Sequence, residues 1–272
     1  MTKFNPNQLP TLGYLCNGRL TLETGVPIST SDQTDKVTLY FTPYMGDLIY
    51  IYDGTSWALH SFTELSLNIS AFTASKPYDI FIYDNAGTLT LEGLVWTNAT
   101  TRATALTTQN GIYVLTGATN KRYLGTIYMD AASKCQDTVN KRYVWNLYNQ
   151  ILRYINITTG YASHTYATNT WRYFNNDSAL IASCVIGIAN LYNTNINARF
   201  KSTVDAGMSV LMDSATNAVG AFLESGTSTA LQFGSSQMVP YSAGYHFIAL
   251  GENHWDGTST FLLGSVQADI LG

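Results

Sequence analysis

Residues 37–62, VTLYFTPYMGDLIYIYDGTSWALHSF, read as three strands joined by two turns. Aromatic and β-branched side chains fall at nearly every second position, the period of a strand with one buried face. In the first turn, at 42–46, Pro43 is preset for the corner. In the second, Asp53-Gly54 is a favoured hairpin pair. The pattern of 47–54, DLIYIYDG, returns as DIFIYDN at 79–85. A chain that spends its tyrosines on strands and its Asp-Gly and Asp-Asn pairs on turns is building sheet, so the expected fold class is all-β.

Moving outward, strands are expected at 19–22, 37–41, 47–52, 57–62, 65–69, 78–83, 88–96, 111–115 and 121–129. Gly93 reads as a bulge inside its strand, 29–36 reads as a loop, and 97–109 has room for one short helix. Turn signals about every ten residues argue for a sandwich or barrel rather than βαβ units. Between 133 and 153 two patterns compete. Val144, Tyr148, Ile151 and Leu152 fall on a helical stripe, while Tyr143, Trp145 and Leu147 alternate as a strand would. Strand signals resume at 163–173, 180–190, 196–203, 208–212, 219–224, 230–233, 244–251 and 260–268, a set that matches a jelly roll. The expected organisation is an N-terminal arm at 1–17, an antiparallel sandwich or barrel at 18–132, a linker of helix or strand at 133–153, and a jelly-roll domain at 154–272.

Charged residues make up 12% of the chain, about half the ~25% usual for soluble domains. Thr, Asn, Ser, Gly and Tyr fill the gap, so a surface largely covered by partners is expected. The net charge is −4, and the basic pairs Lys121-Arg122 and Lys141-Arg142 read as solvated strand or loop ends. A phosphate backbone needs a clustered basic face, so nucleic acid is not an expected partner. Cys16, Cys135 and Cys184 are few, odd in number and without a CxxC, and read as buried reduced thiols rather than a disulfide framework or zinc site. The first residues show no secretory pattern, and no apolar run approaches the ~20 residues of a membrane span.

The motifs of chemistry are sparse. There is no phosphate-binding glycine loop and no nucleophile elbow; 226–230 lacks the second glycine of one. His246, Glu252 and His254 form the one histidine cluster. On one strand the two imidazoles would stand about 26 Å apart at ~3.3 Å per residue, so the expectation is one strand histidine, one loop histidine and no metal. Asp53 and Asp84 read as turn residues that accept backbone amides rather than as an acid–base pair. No catalytic residue and no cofactor are expected. Trp57, Trp171, Tyr241 and Trp255 are the candidate contacts to a partner or a glycan, because each offers a flat apolar face with a polar handle. The competing reading for each is packing in a core or subunit interface.

Seven collinear pieces carry a resemblance: NGRLTL at 17–22, YFTPYMG at 40–46, IYDGTSW at 51–57, KPYDIFIYD at 76–84, TTRA at 100–103, RYLGT at 122–126 and KRYVWN at 141–146. Together they resemble a module that recurs in structural proteins of tailed bacteriophages. The C-terminal half, with GYHF at 244–247 and an ILG finish at 270–272, is similar to the trimeric jelly-roll heads of viral fibres and of complement-type globular domains. The resemblance implies a virion structural protein made in the bacterial host cytoplasm and carried on the virion surface. It implies a homotrimer that decorates or cements the capsid, with the major capsid protein as partner. The alternative it implies is a receptor-binding tip or short tail fibre that recognises host surface glycan. It supplies no catalytic residues. The chain has no collagen-like, coiled-coil or β-helical shaft, which is why decoration ranks above a long fibre.

Overall fold

The computed structural model describes residues 15–160, 163–202, 206–216, 218–225, 231–255 and 257–272. Among them the chain is all-β, with antiparallel sheets, no closed barrel, and a single 3-10 turn at Phe174–Asn176 as its only helical element. None of the described residues forms a helix long and apolar enough to cross a membrane. The chain divides into two compact units. The first runs to Thr138 and takes up Tyr143–Ile151 and Gly272; the second is Val139–Arg142 with Leu152–Leu271.

The first unit contains β1 (Gly18–Thr21), β2 (Gln33–Lys36), β3 (Thr38–Pro43), β4 (Leu48–Tyr52), β5 (Trp57–Ser61) and β6 (Leu65–Asn68). It continues with β7 (Lys76–Asn85), β8 (Thr88–Val95), β9 (Leu106–Gln109), β10 (Ile112–Leu115), β11 (Ala118–Met129) and β12 (Cys135–Thr138). Strand β13 (Lys141–Arg142) belongs to the second unit, and β14 (Val144–Asn146) returns to the first. One sheet has the order β1-β3-β6 and another β8-β7-β11-β10-β9, with β14 on β11; β4 pairs with β5, and β2 with β12. The strands at 37–62 form as their alternation demands: Ile49 and Ile51 are buried, whereas Leu48, Tyr50 and Tyr52 are half-exposed. Asp53 closes the β4–β5 hairpin by accepting the amides of Thr55 and Ser56, each at 2.7 Å, while Gly54 takes φ 102°. The Ser56 and Thr55 amides hold its carboxyl below the ordinary 3.8. Asp84 likewise accepts the Gly87 amide at 2.7 Å.

Several sequence expectations need correction. Gly93 is not a bulge: the β7–β8 register runs unbroken through Ile80↔Gly93. A Cβ there would lie 2.4 Å from the Phe72 ring, so glycine is needed to admit Phe72. The span 97–109 holds β9 and no helix, and 33–36 is β2 rather than loop. The stretch 133–153, expected as a linker of helix or strand, takes the strand alternative as β12, β13 and β14, and its residues are divided between the two units. Aromatic burial explains this, because Tyr143 and Trp145 are only 4% and 2% exposed and anchor that stretch in the first unit. Lys121-Arg122 is not a solvated pair. Arg122 is wholly buried and donates to the carbonyls of Leu15 (3.0 Å) and Tyr50 (2.6 Å), and Lys121 pairs with Glu92 at 2.6 Å. Of the arm expected at 1–17, residues 1–14 lie outside the described residues. The remainder, Leu15 to Asn17, is bound to β4 through Tyr50 N–H to Leu15 O (3.2 Å) and Asn17 N–H to Leu48 O (2.9 Å). All three cysteines are free and buried, and burial pushes each thiol above its ordinary value, so none is a ready thiolate.

The second unit contains β15 (Leu152–Thr158), β16 (His164–Tyr166), β17 (Arg172–Tyr173), β18 (Ile181–Ile186) and β19 (Asn190–Ser202). Then follow β20 (Ala206–Met212), β21 (Ala218–Ser225), β22 (Leu231–Tyr241), β23 (Gly244–His254) and β24 (Ser259–Leu271). Its two sheets have the orders β18-β23-β20-β21 and β15-β24-β19-β22. The chain passes from one sheet to the other between β15 and β18, β18 and β19, β19 and β20, β21 and β22, β22 and β23, and β23 and β24. This nested order is the expected jelly roll. Ala182, Cys184, Met208, Val210, Ile248 and Leu250 line one inner face, and Ile155, Ile157, Phe261, Val266, Ala268 and Ile270 the other. Strand β16 joins β24, and β17 joins β23.

In the first unit Glu64 ties the loop after β1 to β3. Its carboxylate accepts the Thr24 hydroxyl, the Gly25 amide and the Thr42 hydroxyl, each at 2.6 Å. Desolvation pulls its pKa up, but those three donors outweigh it and hold the group below the ordinary 4.5. A depressed carboxyl contributes stability that is present above its unfolded value and lost as pH falls through the folded one. Urea midpoints measured from about pH 6 to pH 3 should therefore fall more steeply for the native chain than for Glu64→Gln. Parallel curves would remove this role.

Candidate functional site

The motif pieces that run along the first half of the chain converge in space on a buried polar lattice. Asp79 on β7 is 2% exposed. Its carboxylate accepts Arg102 Nε at 2.7 Å and Nη2 at 3.2 Å, and the Thr126 hydroxyl at 2.7 Å. The Tyr123 hydroxyl lies 2.6 Å from Thr126 Oγ1, and the Arg102 guanidinium sits 4.3 Å from the centroid of Trp96. Burial pushes the Asp79 carboxyl up, with Arg102 and Thr126 pulling it back only in part. Nearby, Asn146 clamps β1 by accepting Leu20 N–H at 2.7 Å and donating to Leu20 O at 3.2 Å. That contact needs Gly125, because a Cβ there would stand 2.1 Å from the Trp145 carbonyl oxygen. The lattice holds strands together. Asp79 accepts three hydrogen bonds within the lattice and has almost no access to solvent.

The histidine cluster is arranged differently from expectation. His246, Glu252 and His254 all lie on β23 and all point into the sandwich, so neither histidine is a loop residue. Each has a separate set of partners. His246 faces Asp213 Oδ2 at 2.7 Å and the Ser242 carbonyl at 2.9 Å. His254 Nδ1 lies 2.6 Å from Ser259 Oγ. Glu252, fully buried, receives Arg172 Nε at 2.8 Å and Nη2 at 2.7 Å on Oε1, and His164 Nε2 at 2.5 Å on Oε2. Glu252 thus links β17 and β23 of one sheet to β16 of the other. No three His, Cys, Asp or Glu side chains among the described residues converge as metal ligands. His164 and Arg172 were missed by sequence reasoning, since only strand pairing brings them to Glu252.

The four candidate contact residues separate into three groups. Tyr241 is corrected outright: it is 3% exposed, inside the jelly roll, edge-on to His246 at 5.2 Å. Trp57, in the first unit, is half-buried beside Tyr52 at 5.5 Å and donates Nε1–H to Asn110 Oδ1 at 3.3 Å. Trp171 and Trp255 meet in the second unit with centroids 6.1 Å apart and ring planes at 85°, both half-buried.

A further surface was not read from sequence. On the sheet β15-β24-β19-β22, Ile155 and Ile157 point inward, so Leu152 and Tyr154 point outward, at 68% and 51% exposed. The register sets Leu152 opposite Leu271 and Tyr154 opposite Asp269, then Asp269 opposite Asn193 and Asn193 opposite Met238. Met238 is 55% exposed and Leu271 36%. Four of the six large apolar side chains that stand exposed among the described residues are therefore on one face. The next row, Asn156 opposite Gln267, is uncharged, and Gln267 donates to Asp269 at 3.1 Å.

No protein-family model matches the chain, and no curated protein matches it. Among solved structures, an insecticidal delta-endotoxin from Bacillus thuringiensis is similar over 97% of this chain and 55% of its own, at 8% identity and TM-score 0.28. A β-porphyranase of glycoside hydrolase family 86 from Bacteroides plebeius is similar over 90% of this chain and 38% of its own, at 11% identity and TM-score 0.28. The infectious bursal disease virus Gx strain structure is similar over 94% of this chain and 70% of its own, at 11% identity and TM-score 0.27. Likenesses this distant carry no argument about what the chain does.

Proposed function

We propose that this chain is a structural protein of a tailed-phage virion, a homotrimer that decorates or cements the capsid with the major capsid protein as its partner. The observation that carries the reading is the outer face of β15-β24-β19-β22. Four of the six exposed large apolar side chains among the described residues stand on this one face, Leu152 beside Leu271, and Tyr154 and Met238 in the row that Asp269 and Asn193 complete. Large apolar side chains gathered on one face point to an interaction surface. Three jelly rolls gathered about a threefold axis would bury that face and leave their loops outward. Asp269 is the one charge on this face among the described side chains, so covering it desolvates little charge. The low charge of the whole chain, 12%, supports a surface that is largely covered.

Two measurements test this. Leu152→Arg places a charge in the face and is expected to weaken self-association at least tenfold, about 1.4 kcal/mol, without altering the circular dichroism of the fold. Unchanged association would remove the face from the account. Quantitative gel densitometry of purified particles is expected to give hundreds of copies per virion. A few to a few dozen would instead favour the second reading, a receptor-binding tip, for which the Trp171–Trp255 pair is the specific support.

A further inference from the structure

We infer that the second unit carries a saccharide-binding platform built on Trp171 and Trp255, and that its ligand is a neutral oligosaccharide. The inference does not rest on the capsid reading, and it gives the aromatic pair a ligand class.

Trp171 directly precedes β17 and Trp255 directly follows β23. Those strands pair antiparallel, Arg172 opposite Glu252 and Tyr173 opposite Gly251. Since side chains alternate along a strand, Arg172 points inward with Glu252, and Trp171 projects to the opposite side, where Trp255 meets it edge to face at 6.1 Å. Both indoles are half-buried, so each keeps part of its apolar ring at the surface.

Arg172 is held by the buried Glu252 through Nε and Nη2, and its guanidinium lies 3.7 Å from the centroid of Tyr166. Tyr166 in turn donates its hydroxyl to the Thr170 carbonyl at 2.7 Å, and the Thr170 amide donates to Thr168 O at 2.8 Å. The segment that presents Trp171 is thus tied at both ends before any ligand arrives, which lowers the entropic cost of binding. Behind it, Glu252 is fixed again by His164 at 2.5 Å.

Thr168, Asn169 and Thr170, which directly precede Trp171, are exposed and carry hydroxyl and carboxamide groups, the Thr170 hydroxyl donating to Asn169 O at 2.8 Å. Flat apolar faces beside convergent donors and acceptors are what a pyranose ring needs, since it has an apolar C–H face and a polar edge. The charge of Arg172 is matched by Glu252, so among the described residues of these two segments no unmatched cation selects an anionic ligand.

The test uses the purified full chain on a printed panel of neutral oligosaccharides of glucose, galactose, mannose, rhamnose and N-acetylglucosamine, beside uronate and sulfated oligosaccharides. Hits are then titrated by intrinsic tryptophan fluorescence. At least one neutral oligosaccharide should bind saturably with Kd below about 1 mM. Trp171→Ala and Trp255→Ala should each weaken it tenfold or more, Trp171→Tyr should retain most of the binding, and Trp57→Ala should leave it unchanged. Circular dichroism and particle mass of each variant separate loss of binding from loss of fold. No saturable neutral ligand, preference for the acidic panel, or binding indifferent to both alanine variants would each overturn the inference. All three outcomes are independent of copy number on a virion.

Discussion

Asp79→Ala should destabilise the first unit by about 3–5 kcal/mol, the range seen when one member of a buried ion pair is removed. The variant leaves Arg102 charged over Trp96 and Tyr123, and leaves the Thr126 hydroxyl without its 2.7 Å acceptor. Urea unfolding followed in the near-ultraviolet gives the value. The pair itself is a poor source of net stability. Burial outweighs the Arg102 and Thr126 interactions and raises the Asp79 carboxyl above 3.8, so ionising it inside the fold costs more than the partners return. That raised value works against stability as pH climbs above 3.8. Removing both charges at once, Asp79→Val with Arg102→Leu, should therefore cost much less than the single change. A double variant as damaged as Asp79→Ala would show that the lattice is needed for its shape rather than for charge balance.

Glu252→Ala is expected to have a similar effect, about 3–5 kcal/mol, on the second unit. Glu252 is fully buried and satisfies Arg172 and His164 from two different sheets. Its removal strands a guanidinium at the end of the sandwich and frees the Tyr166–Arg172 stack. Two readouts should move together: the urea midpoint of the second unit, and the environment of Trp171 seen in tryptophan emission. Glu252→Gln keeps an acceptor for one partner and should recover part of the loss. A stable Glu252→Ala chain with unaltered emission would mean that the segment is held by other contacts.

The sheet character of this chain was legible because it is local. Alternation at 37–62 and the Asp-Gly turn give β3, β4 and β5 nearly at their true bounds, and the strand spacing after residue 160 gives the jelly roll. What failed was non-local. The echo of 47–54 at 79–85 is real as a string, yet Asp47 is exposed and Asp79 is buried. β4 pairs with β5 alone as a named strand, whereas β7 lies between β8 and β11. The Leu152–Thr158 strand escaped notice because Leu and Tyr on one face and Ile on the other erase the polar–apolar alternation. Leu152 and Tyr154 opposite the inward Ile155 and Ile157 were the available signal for the exposed sheet face. Trp171 and Trp255 could be named from residue type, but their meeting depends on β17 pairing with β23. Tyr241 had the same residue-type credentials and lies in the core, since an aromatic side chain near a turn serves either purpose.

Sedimentation equilibrium of the purified full chain at micromolar concentration tests the assembly at the centre of this account. The predicted result is a single species at three times the 29.9 kDa chain mass, reduced toward one chain by Leu152→Arg. A monodisperse species of 29.9 kDa would contradict it.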